Sequence, residues 1–577
     1  MSFQTETKGG ILFLTLNTYG ASVNIFNLNS AIQLENIMKT ISPSKARAVV
    51  IRSSKPGSFI NGVGLLMANA VKSRSVAEQS SRKIRMAYDS IKNAKVPTIA
   101  LINGNCFGCG VELALNCNYR IAVDSVDTRF YMTEINDYLF IPCFGATQNL
   151  PRLLGFKRAV DFLLWGKRWS ANEALKNGLV HKTISRKELD GGMQAILQNL
   201  VVRKSIAVKH RWPNERINRA DISHVINKNR ERISALPPQY HKVYSDCLNL
   251  MSGSLKSRVL SKLNYRNEFN QSVRSVMTPA SKAALSFFFT RQTVKVLCTP
   301  KTRLPHHWEI KLQAKKNKNL SAIKWRSENV KTVLKVTSSC KNKGPILYSP
   351  FYGRESRFVE IAVNSRNLLK GQYLYTALSR LGFDLVISHS KSSFASNELL
   401  VAYLMPQLLF CWRGGNPSSI HYTLRSFGFC VLPNALIKCA GEKQLAALLG
   451  RSIPSSMPKS FMLNCLMRIS QTDFSSGERM QYLLDALDVS LYNASHELLE
   501  KRTVLHPALV DLIAREMLDF PLEKKSLCAY LTNERVGAAM NGASRILPRE
   551  SLEACTQRLA CRQDFYLSQK NFLMKEV

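Results

Sequence analysis

The first part of the chain alternates between two kinds of segment, and this alternation limits the fold more than any other feature. Four short, β-branched runs bounded by turn residues read as buried strands: "GGILFLTLN" (Gly9–Asn17), "ARAVVIRSS" (Ala46–Ser54), "VPTIALIN" (Val96–Asn103) and "YRIAV" (Tyr119–Val123). Between the first two and the second two lie segments with helical spacing, Leu28 to Ile41 and Val76 to Ala94. Strand alternating with helix predicts an α/β domain, which the pattern carries to residue 190.

The character then changes. Residues 203–343 hold 30 Lys and Arg against 7 Asp and Glu, which makes this the most basic part of a chain whose net charge is +40. The excess predicts attraction to anions such as nucleotide phosphates or an anionic membrane surface. No base-stacking aromatic pattern accompanies it, so nucleic acid is not an expected partner. Residues 191–300 read as helical. Residues 301–343, with 12 basic and 2 acidic residues, read as an exposed basic connector. From Gly344 apolar helical periodicity returns, and the pattern divides into 344–488 and 489–577. The longest apolar run, Leu399 to Trp412, is interrupted by Pro406 and Gln407 and is shorter than the roughly 20 residues a spanning helix needs. A soluble protein is expected. The 14 cysteines show no framework spacing, which favours a reducing compartment.

Two carboxylates stand apart from the charged helix faces. Glu112 opens a helix directly after the turn in "INGNCFGCGVELALNCNYRIA" (Ile102–Ala122), and Glu134 follows in "YMTEINDYLF". Two half-buried glutamates can share a water, one taking a proton and the other donating one. On residue pattern alone, two satisfied or surface acids are the simpler reading. Cys106 and Cys109 form a C-x-x-C, but with no second such pair and no nearby His the expectation is buried thiols and no metal.

Four motifs in order then identify a resemblance: "SSKPGSFINGVGL" (Ser53–Leu65), the stretch from Ile102 to Ala122, "IPCFGATQNLPRLLG" (Ile141–Gly155) and "ALKNGLVHKTI" (Ala174–Ile184). Residues 1–190 resemble the enoyl-CoA hydratase (crotonase) superfamily, and most of all the hydratase half of the multifunctional fatty-acid β-oxidation α-chains. The resemblance implies an α/β fold of repeated ββα units in a spiral, followed by a mainly α-helical C-terminal domain. It implies that Glu112 and Glu134 add water to a 2-enoyl-CoA. The thioester oxygen would be held by the backbone N–H groups of Val63 and Cys109, with Lys55 and Gly62 on the CoA. The substrate would be a CoA thioester, and no tightly bound cofactor is implied.

The sequence also departs from that family's pattern. Cys109, Cys143 and Ala146 stand where Gly is usual, and Gly64 where Asp is common. The Glu112–Glu134 spacing is about two residues long against the family, with one extra residue before Pro142. If Cys109 needed positive φ, strain on the order of 1–2 kcal/mol would result. Cys109→Gly would then raise turnover about tenfold.

Further along, "GPILYSPFYGRESRFVEIAV" (Gly344–Val363), "SSFASNELLVAYLMPQLLF" (Ser392–Phe410) and "SIHYTLRSFGFCVLPNALI" (Ser419–Ile437) resemble the C-terminal half of a 3-hydroxyacyl-CoA dehydrogenase. There, by the resemblance, Ile346 occupies the place of the catalytic His, and Glu360 and Asn397 match its supporting residues. No G-x-G-x-x-G occurs in the sequence, and 43 residues from Lys301 to Lys343 are too few for two βαβαβ halves. NAD binding and hydride transfer are therefore not expected. Two functions stay open at this point: a hydratase without dehydrogenase activity, or an inactive α-chain-like scaffold. The resemblance implies acyl-CoA and a thiolase β-subunit as partners, with a homo-oligomer as the alternative. By analogy it implies the mitochondrial matrix or its inner membrane, or else a bacterial cytoplasm.

Overall fold

A computed structural model gives the fold. It describes residues 2–44, 46–64, 73–191, 193–202, 219–234, 236, 238–256, 260–299, 309–314, 320–327, 330–335, 346–348, 358–363, 368–380, 384–389, 394–429, 432–440, 442–450, 452–454, 456–471, 479–518, 520, 521, 524, 526–560 and 565. The chain divides into two compact units, Met1–Leu285 and Ser286–Val577.

In the first unit the strands are β1 (Phe3–Lys8), β2 (Ile11–Leu16), β3 (Ala48–Ser53), β4 (Gly57–Ile60) and β5 (Thr98–Ile102). They continue with β6 (Gly104–Phe107), β7 (Tyr119–Val123), β8 (Arg129–Tyr131), β9 (Trp169–Ser170) and β10 (Lys182–Ile184). The helices that frame the site are α1 (Leu28–Lys39), α2 (Arg74–Lys92), α3 (Cys109–Asn116), α4 (Glu134–Tyr138), α5 (Ala146–Leu154), α6 (Pro238–Gly253) and α7 (Lys262–Val276).

One sheet has the order β1-β2-β3-β5-β7-β10 and a second has β4-β6-β8-β9. In each repeat the first strand joins the large sheet, the second joins the small one, and a helix follows: β3-β4-α2, β5-β6-α3, β7-β8-α4. This is the crotonase-like α/β spiral, with the four strands expected from sequence at β2, β3, β5 and β7. From β2 to β10 the large sheet is parallel. A parallel sheet is covered on both faces, which is why β5, "TIALI", is apolar after Thr98 and buried at every position. Ile11, Phe13, Val50, Ile99, Leu101, Ile121 and Val123 form the core on it, with Ile184 and Leu197. The small sheet delivers its strand ends to the helix starts. β6 runs into α3 through Gly108, whose φ of 50° lets the chain turn.

The division of the chain differs from the sequence expectation. The first unit continues past residue 190 to Leu285, so most of the segment read as a helical linker belongs to it. The physical reason lies in α7, which buries Phe269, Ser272 and Val273. Phe269 and Val273 pack with Ala77 of α2 and with Cys143.

The second unit begins with a correction. Strands β11 (Glu309–Ala314), β12 (Leu320–Ser327) and β13 (Val330–Lys335) form a three-stranded antiparallel sheet within the segment expected to be a connector. Their sequences, "EIKLQA", "LSAIKWRS" and "VKTVLK", hold β-forming residues such as Ile310 and Leu312, Ile323 and Trp325, and Val330, Thr332 and Leu334 at alternate positions, a strand pattern that the total charge obscures. The rest of the 301–343 segment lies outside the described residues. Next come β14 (Ile346–Tyr348), β15 (Phe358–Val363), helix α8 (Leu368–Arg380) and β16 (Asp384–His389). β15 and β16 are parallel and α8 links them, a single βαβ unit.

The remainder is mostly helical, including α9 (Ala395–Trp412), α10 (Pro417–Phe427), α11 (Gln481–Glu500), α12 (Pro507–Leu518) and α13 (Asn533–Ala543). The expected division at 488/489 falls inside α11, which buries Leu484, Leu487, Leu491 and Tyr492 on one continuous face. The helix cannot be cut there without exposing that face. Among the described residues no helix is long and apolar enough to cross a membrane.

Candidate active site

Glu112 lies in the first turn of α3, and α3 is buried at every position. Such a carboxylate must be hydrogen-bonded or protonated. Its Oε1 accepts N–H bonds from Phe144 at 2.8 Å and Ala146 at 3.1 Å. Burial raises its pKa well above the usual carboxylate range, and the nearby charges of Glu134 and then Glu268 raise it further.

Glu134 is the first residue of α4 and is 5% exposed. Burial pushes its pKa up to about 7. Its Oε2 is buried without a hydrogen-bond partner among the described residues. The backbone beside it is Gly108, where a Cβ would collide with the Glu134 carboxylate. Directly after Glu134 the chain closes on itself. Leu139 caps α4 in the left-handed region at φ 54°, and Phe140 N–H donates to the Glu134 carbonyl at 3.1 Å.

The two glutamates line one cavity of about 70 Å³ together with Val63 and Cys109, the two residues expected to supply backbone donors. Val63 forms a parallel bridge with Phe26. That bridge uses Phe26 N–H to the Gly62 carbonyl (3.0 Å) and Gly64 N–H to the Phe26 carbonyl (3.3 Å), so the Val63 amide stands outside the ladder. Cys109 is the first residue of α3, so its amide has no partner within the helix and sits at the positive end of the helix dipole.

Cys109 itself requires a correction. The positive φ at this turn belongs to Gly108, not to Cys109. Cys109 already has the backbone of a helix start, and the expected strain is absent. We therefore expect Cys109→Gly to leave turnover within about twofold, because a tenfold gain would need about 1.4 kcal/mol of barrier that no strain supplies. Steady-state kinetics on the variant checks this.

The remaining candidates lie as follows. Gly62 has φ 115° with open space around it. Lys55 is half-buried, and its Nζ donates to the Ala21 carbonyl. Cys106, Cys109, Cys117 and Cys143 are free and buried, and burial raises every one of these thiols. Among the described residues no group of His, Cys, Asp or Glu could hold a metal ion.

Three residues of the site escaped sequence reasoning. Tyr88 on α2 donates to the Cys109 carbonyl at 2.8 Å and so fixes the start of α3. Phe144 packs on Tyr88 with ring centroids 5.1 Å apart and supplies one of the Glu112 amides. Glu268 on α7 is the third. Its signal was a lone acid beside the apolar positions of a helix.

Residues 6–219 match the enoyl-CoA hydratase/isomerase family. Over 210 residues the chain is 32% identical to the fatty acid oxidation complex subunit alpha of Idiomarina loihiensis, a match covering 36% of this chain and 28% of that relative. The chain thus spans under a third of the curated relative's length. Among solved structures, it is similar to Pseudomonas aeruginosa DspI, at 29% identity and TM-score 0.32, covering 35% of this chain and 80% of that one. It is also similar to an enoyl-CoA hydratase from Bacillus halodurans, at 17% identity and TM-score 0.36, covering 49% and 99%.

In the second unit, Glu360 on β15 is fully buried. Its Oε1 accepts from Ala395 N–H at 2.8 Å and from the Ser388 hydroxyl. Its Oε2 accepts from Ser396 N–H at 2.9 Å and from the Ser396 hydroxyl. Three of the four donors belong to the start of α9 and the fourth, the Ser388 hydroxyl, to β16, so Glu360 caps a helix and ties it to the neighbouring strand. Asn397 follows in the first turn of α9 and is 8% exposed. Ile346 opens β14, which pairs antiparallel with β15 so that Tyr348 lies opposite Glu360.

Proposed function

We propose that the first unit is an enoyl-CoA hydratase-type enzyme acting on 2-enoyl-CoA thioesters. The observation that carries this reading is the convergence of Glu112, Glu134, Val63 and Cys109 on one cavity. Water adds across the double bond, its oxygen to C3 and a proton to C2. One carboxyl of the pair takes the proton from water while the other gives one to C2, so the pair ends with the protons it began with. Charge that develops on the thioester oxygen meets the N–H groups of Val63 and Cys109. Two carboxyls on one cavity with raised proton affinity titrate as a unit, which keeps a donor available near neutral pH.

The second unit serves as a scaffold and does not transfer hydride. Ile346 has no proton-accepting atom, and all four bonds into Glu360 come from Ser388, Ala395 and Ser396. Both features support a unit without hydride transfer. Association with a thiolase subunit belongs to the same proposal. Its support is that the Idiomarina relative is, by its name, a subunit of a fatty acid oxidation complex.

Phe140, Phe144, Val273 and Val276 are among the residues that line the cavity of about 70 Å³. A cavity of this size favours a short acyl segment. The test is a hydration assay over 2-enoyl-CoAs of increasing length. We expect kcat/KM for a four-carbon substrate to exceed that for a sixteen-carbon one by about tenfold or more, with no NADH formed when NAD is added. Absence of hydration at every chain length would refute the enzyme reading.

A further inference from the structure

Four consecutive amides, Phe144 to Thr147, form the turn that starts α5. Phe144 N–H and Ala146 N–H donate to Glu112 Oε1 at 2.8 and 3.1 Å. The alternate amides go elsewhere. Gly145 N–H donates to Glu268 Oε1 at 2.6 Å, and Thr147 N–H to Glu268 Oε2 at 2.9 Å, with the Thr147 hydroxyl on the same oxygen. Two carboxylates from different helices, α3 and α7, thus grip one turn from opposite sides. Gly145 sits between them at φ 112°, a conformation that Gly adopts without strain.

Glu268 is 0% exposed and is not among the residues that line the cavity. A buried charged side chain is costly unless it is fully bonded, and here the bonds it makes are all to this one turn. We propose that Glu268 is a positioning residue of the hydration site: it clamps the turn 144–147, and the aim of the Glu112 carboxylate depends on that clamp.

This inference rests on the hydratase reading, yet half of it concerns the folded protein alone. Around Glu268 stand Arg85 of α2, Tyr265 of its own helix, Cys247 of α6 and Cys143. Burial keeps the thiols and the phenol neutral, and Arg85 lowers the pKa of Glu268. Burial still leaves that pKa at about 7. Around Glu112 stand Glu134 and Glu268, both of which oppose its ionisation, and the neutral groups of Tyr88 and Cys109. Removing the charge at 268 makes Glu112 easier to ionise.

The test uses the full chain with Glu268→Gln and Glu268→Asp. The infrared band of the protonated Glu112 carboxyl, assigned by its loss in Glu112→Gln, is titrated in each. In Glu268→Gln it should titrate lower than in the wild type by about 1.5–2 pH units, the effect of a unit charge about 6–8 Å away at an effective dielectric constant of about 20. In Glu268→Asp, which keeps the charge, it should stay closer to the wild-type position. With crotonyl-CoA, Glu268→Gln should lower kcat by about tenfold or more while KM changes by less than about threefold, because the residue aims Glu112 and does not bind substrate. The alkaline limb of the rate profile should move down with the infrared titration. An unmoved Glu112 titration in folded Glu268→Gln would overturn the proposal. So would a loss of activity matched by the unfolded fraction alone. A wild-type protein without hydration activity whose Glu112 band still shifts in Glu268→Gln would refute the hydratase reading and leave the clamp standing.

Discussion

Glu112→Gln and Glu134→Gln should each lower hydration turnover by on the order of 100-fold or more. At position 112 the substitution is close to a pure test of proton transfer. A Gln oxygen can still accept the Phe144 and Ala146 amides that meet Glu112 Oε1, so the turn keeps its place while the titratable proton is lost. At position 134 the unpartnered Oε2 has no internal hydrogen bond to lose. Stability should therefore stay within about 1 kcal/mol of the wild type in both variants, and binding of the product thioester should be little changed. Steady-state hydration kinetics and thermal unfolding on the same samples separate these effects. Near-wild-type turnover in Glu112→Gln would remove the paired-carboxyl mechanism.

The second large effect lies in the other unit. Glu360→Ala should destabilise it by about 3–5 kcal/mol. The substitution leaves the Ala395 and Ser396 amides and two serine hydroxyls, at 388 and 396, without their acceptor in a buried place. Each such group costs about 1–3 kcal/mol, although hydroxyls can rotate to new partners. Ser388→Ala removes one donor only and should cost about 1 kcal/mol. Urea unfolding of the full chain, followed for the transition of the second unit, measures both. A Glu360→Ala protein within 1 kcal/mol of the wild type would show that α9 does not need its cap.

Glu112, Glu134, Val63 and Cys109, which line one cavity, were singled out by the family resemblance of their motifs; on residue pattern alone the two acids read as satisfied or surface groups. The local geometry of Cys109 was not legible. A turn with one positive-φ residue can place it at 108 or 109, and only coordinates show that Gly108 takes it. Glu268 was hidden for a different reason. It lies 156 residues beyond Glu112 in a segment dominated by basic side chains, and sequence spacing says nothing of which turn a distant helix will meet. Its position beside Phe269, Ser272 and Val273 on the buried face of α7 was the one available hint. The three-stranded sheet β11-β12-β13 was missed because the basic side chains of residues 301–343 gave the whole segment the composition of a solvated tract. Strands β2, β3, β5 and β7 were plain, since a sheet buried on both faces leaves little room for charge.

Glu112, Glu134 and Glu268 also bear on how the first unit comes into being. Each has a pKa raised by burial, to about 7 for Glu134 and Glu268, whereas an unfolded chain leaves such groups near the usual value of about 4.3. The folded state therefore holds more protons than the unfolded one between those limits. Stability from this source is complete below the unfolded pKa and is lost as pH rises through about 7. Near neutral pH, acquiring the native structure is thus a proton-uptake reaction, and alkalinity acts on this unit as a mild denaturant.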